Sequence, residues 1–244
     1  MKSANQIRRF ILIGLILTGI YVWILAPAMT GPNLFYKERD TEPDMPKWSD
    51  ALSADVDAGY LILVNKENAL EKEYKPSDLK EILYYAPDRS PEGRYLREAA
   101  ADAFHDLVNE AAKQNIELVL TTGYRSYGFQ SILYNNYVEK DGQAEADKYS
   151  AQPGKSEHQT GLAADVSASS VDYQLVTEFE NTSEGKWLSE NAGRFGFILR
   201  YSKDKEEMTG YMFEPWHIRY VGIPAAEYIR EHEITLEEYL QLFN

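Results

Sequence analysis

The chain contains no cysteine, so neither a disulfide nor a lipid attached through an N-terminal cysteine can hold it. It must be stable through its apolar core alone. Basic residues are also scarce, 25 Lys and Arg against 39 Asp and Glu, and the net charge of -14 excludes the electropositive surface that nucleic acid requires. No internal repeat or low-complexity tract interrupts the sequence, which removes solenoid and fibrous architectures. Histidine is rare too, with four in 244 residues, so the position of each one carries information. At 44% hydrophobic, the chain has apolar residues enough for one sizeable core.

The N-terminus is different in character. Arg8 and Arg9 precede a run from Phe10 to Leu25 that is apolar apart from Gly14, Thr18 and Gly19, and the first 30 residues hold no acid. Such a segment is an export signal. Residues 1–29 are expected to remain as a single-pass membrane anchor with a cytoplasmic N-terminus. The alternative is cleavage near Ala28, in the small-residue stretch Ala26-Pro27-Ala28, and secretion. Residues 30–59 read as a linker, stiffened by Pro32, Pro43 and Pro46 and extended by repulsion among its acids. The folded domain is then expected over residues 60–244.

Within it, Tyr60 to Val64 has the aliphatic makeup of a buried strand. Arg94 to Gln114 repeats apolar residues at three- and four-residue spacing and reads as a helix, with His105 beside the apolar stripe. Glu117 to Thr122 reads as a strand that ends at Gly123-Tyr124-Arg125-Ser126, before a helix from Gly128 to Lys140. Leu162 to Ser167 alternates, with Leu162, Ala164 and Val166 on one face and Asp165 on the other. A helix over Glu184 to Ala192 and strands at Phe197 to Arg200 and Trp216 to Val221 follow. Pro224 starts a helix at its favoured first position, and Thr235-Leu236-Glu237-Glu238 is a capping box opening the last one, with His232 in the turn between. This mixture predicts an α+β fold, a small antiparallel-sheet core with flanking helices behind the N-terminal anchor.

The remaining two histidines stand in motifs. Ser156-Glu157-His158-Gln159-Thr160-Gly161 leads through a turn to Asp165, and Glu214-Pro215-Trp216-His217 lies further on. Pro215 disfavours helix at Glu214, and extended backbone would point Glu214 and His217 to opposite sides. A local irregularity is therefore needed to bring both to one place, with Trp216 as a wall of the cleft. His158, Asp165 and His217 together supply the nitrogen and oxygen donors that Zn²⁺ accepts, leaving a position open for water. Glu214 is the spare carboxylate, suited to take a proton from that water as general base. Arg125 offers a planar charged fork to a substrate carboxylate, aided by the Ser156 hydroxyl, and Gln130 can contact polar groups of the substrate. A site that demands a free carboxylate is an exopeptidase.

Gly123-Tyr124-Arg125-Ser126, Ser156-x-His158-x6-Asp165, Arg200-Tyr201, Thr209-Gly210 and Glu214-Pro215-Trp216-His217-Ile218-Arg219-Tyr220-Val221-Gly222 occur in that order. In these motifs the chain resembles the VanY-type D-alanyl-D-alanine carboxypeptidases, zinc D,D-peptidases related to hedgehog domains. The resemblance implies zinc on His158, Asp165 and His217, Glu214 as base, and Arg125 and Ser156 on the terminal carboxylate. Tyr201, in the Arg200-Tyr201 motif, joins Gln130 and Trp216 among the expected substrate contacts. The substrate the resemblance implies is a peptidoglycan stem peptide ending in D-alanine, with no obligate protein partner, in some bacteria lowering vancomycin susceptibility. Two alternatives stand beside this reading: an L,D-carboxypeptidase acting on tetrapeptide stems, and a zinc-stabilised wall-binding module without catalysis.

Overall fold

The alternation of Leu162 to Ser167 becomes a strand with two unlike faces, and the fold is organised around them. The computed structural model describes residues 50–87 and 89–243; the apolar N-terminal segment and most of the expected linker lie outside these residues. Among the described residues no helix is long and apolar enough to cross a membrane.

Four strands, β3 (Val119–Thr122), β4 (Ala163–Ser167), β5 (Phe197–Tyr201) and β6 (Glu214–Tyr220), form one antiparallel sheet in the order β3-β4-β6-β5. A small antiparallel pair, β1 (Leu79–Glu81) with β2 (Tyr95–Arg97), stands apart. One sheet face carries Leu120, Leu162, Ala164, Val166, Phe197 and Ile218. It packs against Phe104, Leu107, Val108 and Ala111 of α2 (Glu98–Ala112) and against Trp187 and Leu188 of α5 (Ser183–Asn191). Because side chains alternate across a strand, Asp165, Arg200, His217 and Arg219 fall on the opposite face, and all four are buried. The fold is thus α+β, an apolar layer on one side of the sheet and a polar one on the other.

The polar layer is closed by α7 (Ile223–His232) and α8 (Leu236–Gln241), whose Ala225, Ala226, Ile229, Leu236 and Tyr239 form a second core with Leu61 and Ile198. The expected capping box is present at Thr235, which accepts from Glu238 N–H while the Glu238 side chain accepts from Thr235 N–H. Such a cap stabilises a helix by about 0.5–2 kcal/mol. Helices α3 (Tyr127–Asp141) and α4 (Gln143–Tyr149) border the other end of the polar face, and α6 (Glu206–Thr209) lies in the connection before β6.

Three segments depart from the sequence reading. Tyr95 to Arg97, expected inside the helix from Arg94, is instead strand β2, held by its pairing with β1, and the helix begins at Glu98. Tyr60 to Val64 is turn and irregular chain, not a strand, because its carbonyls are taken by a side chain: Arg219 Nη2 donates to Tyr60 O at 3.0 Å and Ile62 O at 2.7 Å. The stretch expected as linker includes a short helix, α1 (Asp50–Asp57), that packs near α7.

Candidate active site

Strand β3 ends where Gly123 comes so close to β2 that a Cβ there would stand 2.4 Å from Tyr95 O. Glycine is required by this approach, and the Gly123 carbonyl is thereby aimed at His158, whose Nδ1 donates to it at 2.8 Å. The next amide, Arg125 N–H, runs past Tyr124 to the His158 carbonyl at 3.1 Å. Ser156 precedes a short 3-10 turn, Glu157–Thr160, that ends on Gly161 at φ +69, a left-handed conformation glycine adopts at little cost. From this turn His158 Nε2 reaches 3.2 Å from Asp165 Oδ2. Asp165 lies directly across from His217 in the β4–β6 register, and its Oδ1 is 3.0 Å from His217 Nδ1.

The β5–β6 pairing shifts register between Leu199 and Tyr201, where Tyr201 meets Glu214. This is the irregularity that the sequence demands. It brings Glu214 Oε2 to 3.7 Å from His217 Nδ1, on the same side of the strand.

One cleft of about 330 Å³ is lined by all nine residues singled out in the sequence: Arg125, Gln130, Ser156, His158, Asp165, Tyr201, Glu214, Trp216 and His217. The other two histidines stand elsewhere, His105 accepting from Leu83 N–H and His232 stacked on Tyr228. A larger cavity, about 620 Å³, lies between α5, β5 and α7 and is lined by none of the nine.

The donor set fits a metal ion. Among the described residues one group offers three ligand atoms within 4.8 Å of one another, His158, Asp165 and His217, and all three are buried. Each imidazole has its other nitrogen held, His158 by the Gly123 carbonyl and His217 by Glu157 Oε2 at 3.4 Å, as metal-binding histidines require. Burial would raise Asp165, but His158 and His217 hold its carboxyl well below the usual range. Burial lowers His158, which favours the neutral ring that a metal needs. His217 is opposed by burial yet pushed up to about 9 by Asp165 and Glu157, which marks a position where positive charge is favoured. Two imidazoles and one carboxylate at this spacing suit Zn²⁺.

The remaining groups are electrostatically distinct. Burial pushes Glu214 up to about 7, a value matched to accepting and returning a proton near neutrality. The Arg125 guanidinium has no hydrogen bond or ion pair to any described residue, and its Nε is buried without a partner. Gln130 donates Nε2 to Ala151 O at 2.6 Å, which leaves its buried Oε1 as an unpaired acceptor in the cleft. Tyr201 packs 4.8 Å from the His217 ring and Tyr211 lies against Tyr201.

Sequence reasoning missed Glu157, which lies wholly buried beneath His217, and the two arginines around it. Arg200 Nε and Arg219 Nη1 donate to Glu157 Oε1 at 2.8 and 2.7 Å, and Arg200 also forms a fork with Glu237 at 2.9 and 2.7 Å. The available signal was the pair Phe197-Ile198-Leu199-Arg200-Tyr201 and Trp216-His217-Ile218-Arg219-Tyr220, each an arginine within an apolar strand. A buried arginine needs a buried acid.

Fold and site together define a hydrolase built on a buried His-Asp-His group, with a free carboxylate beside it and an unpaired arginine at the cleft. Residues 93–223 match the sequence profile of VanY, D-alanyl-D-alanine carboxypeptidase, and the chain belongs to this family. It is an enzyme that hydrolyses peptide bonds, a carboxypeptidase of peptidoglycan peptides. YodJ of Bacillus subtilis is 44% identical over 182 residues, 74% of this chain and 67% of YodJ. The LD-carboxypeptidase LdcB, whose structure was solved for peptidoglycan recognition, superposes with a TM-score of 0.72 at 44% identity, covering 75% of this chain and 86% of LdcB. A variant of the vancomycin-resistance D,D-pentapeptidase VanY, in complex with Zn(II), gives 0.62 at 34% identity over 74% of this chain and 98% of that one.

Proposed function

We propose that the chain is a zinc carboxypeptidase that removes the C-terminal D-alanine from D-Ala-D-Ala stem peptides of peptidoglycan. The observation that carries the reading is the unpaired Arg125 in the same cleft as the His-Asp-His group and Glu214. A half-buried guanidinium whose Nε has no protein partner is poised for a ligand that supplies the anion, and a terminal carboxylate has the matching fork. Ser156 adds a hydroxyl to that carboxylate, and Gln130 Oε1 accepts an N–H of the peptide backbone. His158, Asp165 and His217 would hold the zinc, which when bound would supply Lewis acidity to the scissile carbonyl and to water. Glu214 takes the proton of the attacking water and returns it to the leaving amine nitrogen, so D-alanine departs as a neutral amine. Tyr201 and Trp216 exclude solvent from this exchange. We place the enzyme outside the cell membrane, held through residues 1–29, where the stem peptides are; trimming D-Ala-D-Ala ends would remove the target of vancomycin.

A second reading is favoured by one comparison. Identity to LdcB, at 44%, exceeds that to VanY, at 34%, and supports L,D action on tetrapeptide stems. The test is release of D-alanine by the purified chain with zinc from stem peptides ending in D-Ala-D-Ala or in a single D-Ala. Release from the first carries the D,D reading, release chiefly from the second carries the L,D one, and release from neither overturns both. In the same assay Arg125→Ala is expected to lower kcat/KM by about 10- to 150-fold through a raised KM, the loss of a charge-assisted pair worth roughly 1.5–3 kcal/mol. Zinc content should not change. An unaltered KM would show that the carboxylate binds elsewhere.

A further inference from the structure

We propose that Glu157 is the positioning residue of the metal centre: its carboxylate fixes the tautomer and orientation of His217, so that one short turn of chain governs both histidine ligands. The inference rests on the reading of His158, Asp165 and His217 as the metal-holding group. Neighbouring residues of a 3-10 turn point about 120° apart, and here they divide the work. His158 enters the cleft directly, while Glu157 passes beneath the sheet face and meets His217 from behind.

Glu157 Oε2 stands 3.4 Å from His217 Nε2, placed to accept an Nε2–H and so to favour that tautomer of the neutral ring. Nδ1 is then the nitrogen left to face Asp165 and the metal position. The carboxylate is itself immobilised. Its Oε1 accepts from two fully buried arginines, and its side chain is 0% exposed. The turn is pinned at both ends, by Thr160 Oγ1, which donates to the Glu157 carbonyl at 2.5 Å, and by Arg125 N–H and Gly161 N–H, which donate to the His158 carbonyl. Glu157 and Glu237 against Arg200 and Arg219 give two charges of each sign, so the cluster is balanced without drawing charge from the imidazole. A carboxylate that orients a ligand histidine also raises its basicity toward the metal.

Glu237 provides the control, because it binds the same Arg200 and has no contact with His217. The experiment measures zinc affinity of the full chain by chelator competition, with the tautomer of His217 read by ¹⁵N NMR in metal-free protein at a pH above about 9, where the imidazole is neutral. E157Q is expected to lower zinc affinity about 10- to 100-fold and to shift His217 away from the Nε2–H form. E237Q is expected to lower the unfolding midpoint while leaving both readouts as in the wild type. If E157Q does not fold, E157D keeps the charge but withdraws the carboxylate by one methylene, and the same two changes are expected. Zinc affinity of the folded Glu157 variant within about twofold of wild type, or an equal loss in E237Q, would overturn the proposal. Failure of the wild type to bind zinc would instead sink the metal reading, and the NMR comparison would still decide what Glu157 does to His217.

Discussion

Glu214→Gln is expected to retain zinc and to lower kcat by roughly a hundred- to ten-thousand-fold, the contribution of a positioned general base. The substitution preserves shape and one acceptor oxygen but cannot carry a proton. Glu214 stands outside the three-residue group that can hold a metal, with Oε2 3.7 Å from His217 Nδ1, so its loss should not empty the site. Its carboxyl, pushed up to about 7 by burial, is the one acid of the cleft poised for proton exchange, since His158 and His217 hold Asp165 far below that range. Because Arg125 and Ser156 are untouched, KM should stay near the wild-type value. The measurement is D-alanine release set beside metal content. Turnover within tenfold of wild type would remove the base assignment, and loss of zinc would make Glu214 a ligand.

The parts of this site that were legible in the sequence share one property: each is specified by its near neighbours. Asp165 is turned away from Ala164 and Val166 by strand alternation alone, and Pro215 already required the irregularity that the β5–β6 register shift provides. Thr235 and Glu238 cap α8 within a single turn. The parts that were not legible are long-range. Glu157 meets Arg200 across 43 residues and Arg219 across 62, and nothing local to Ser156-Glu157-His158 separates a buried hub from a solvated acid. The failed strand at Tyr60 to Val64 has the same origin. Its apolar residues are buried as expected at Leu61 and Val64, but its carbonyls are claimed by Arg219 more than 150 residues away, and pairing in a sheet is not needed to satisfy them. Polarity in a strand therefore carried as much fold information as apolarity did, at Arg200 and Arg219 most of all.

That conclusion has a measurable consequence in Arg200→Met, which is expected to destabilise the fold by roughly 3–5 kcal/mol, as breaking a buried ion pair from one side does. Arg200 is completely buried and divides its guanidinium between Glu157 and Glu237, so its removal strands Glu237 beside Asn65 and leaves Glu157 to Arg219 alone. Against a typical total of about 5–15 kcal/mol, the loss is a large fraction, and at roughly 2–4 °C per kcal/mol the melting point should fall by about 6–20 °C. Lys203→Ala supplies the comparison: its pair with Glu180 is 58% exposed on the lysine side, and a solvated pair contributes about 0–1 kcal/mol. The cause can be separated from simple loss of packing by the double variant Arg200→Met with Glu237→Leu. If the penalty comes from a carboxylate buried without its cation, removing that carboxylate should recover part of the stability, because Glu157 still has Arg219. If the penalty comes from packing, the second substitution should add to the first. A single variant no less stable than Lys203→Ala would mean that the arginine does not hold the polar face together, and the site would owe its geometry to the apolar layer on the other side of the sheet.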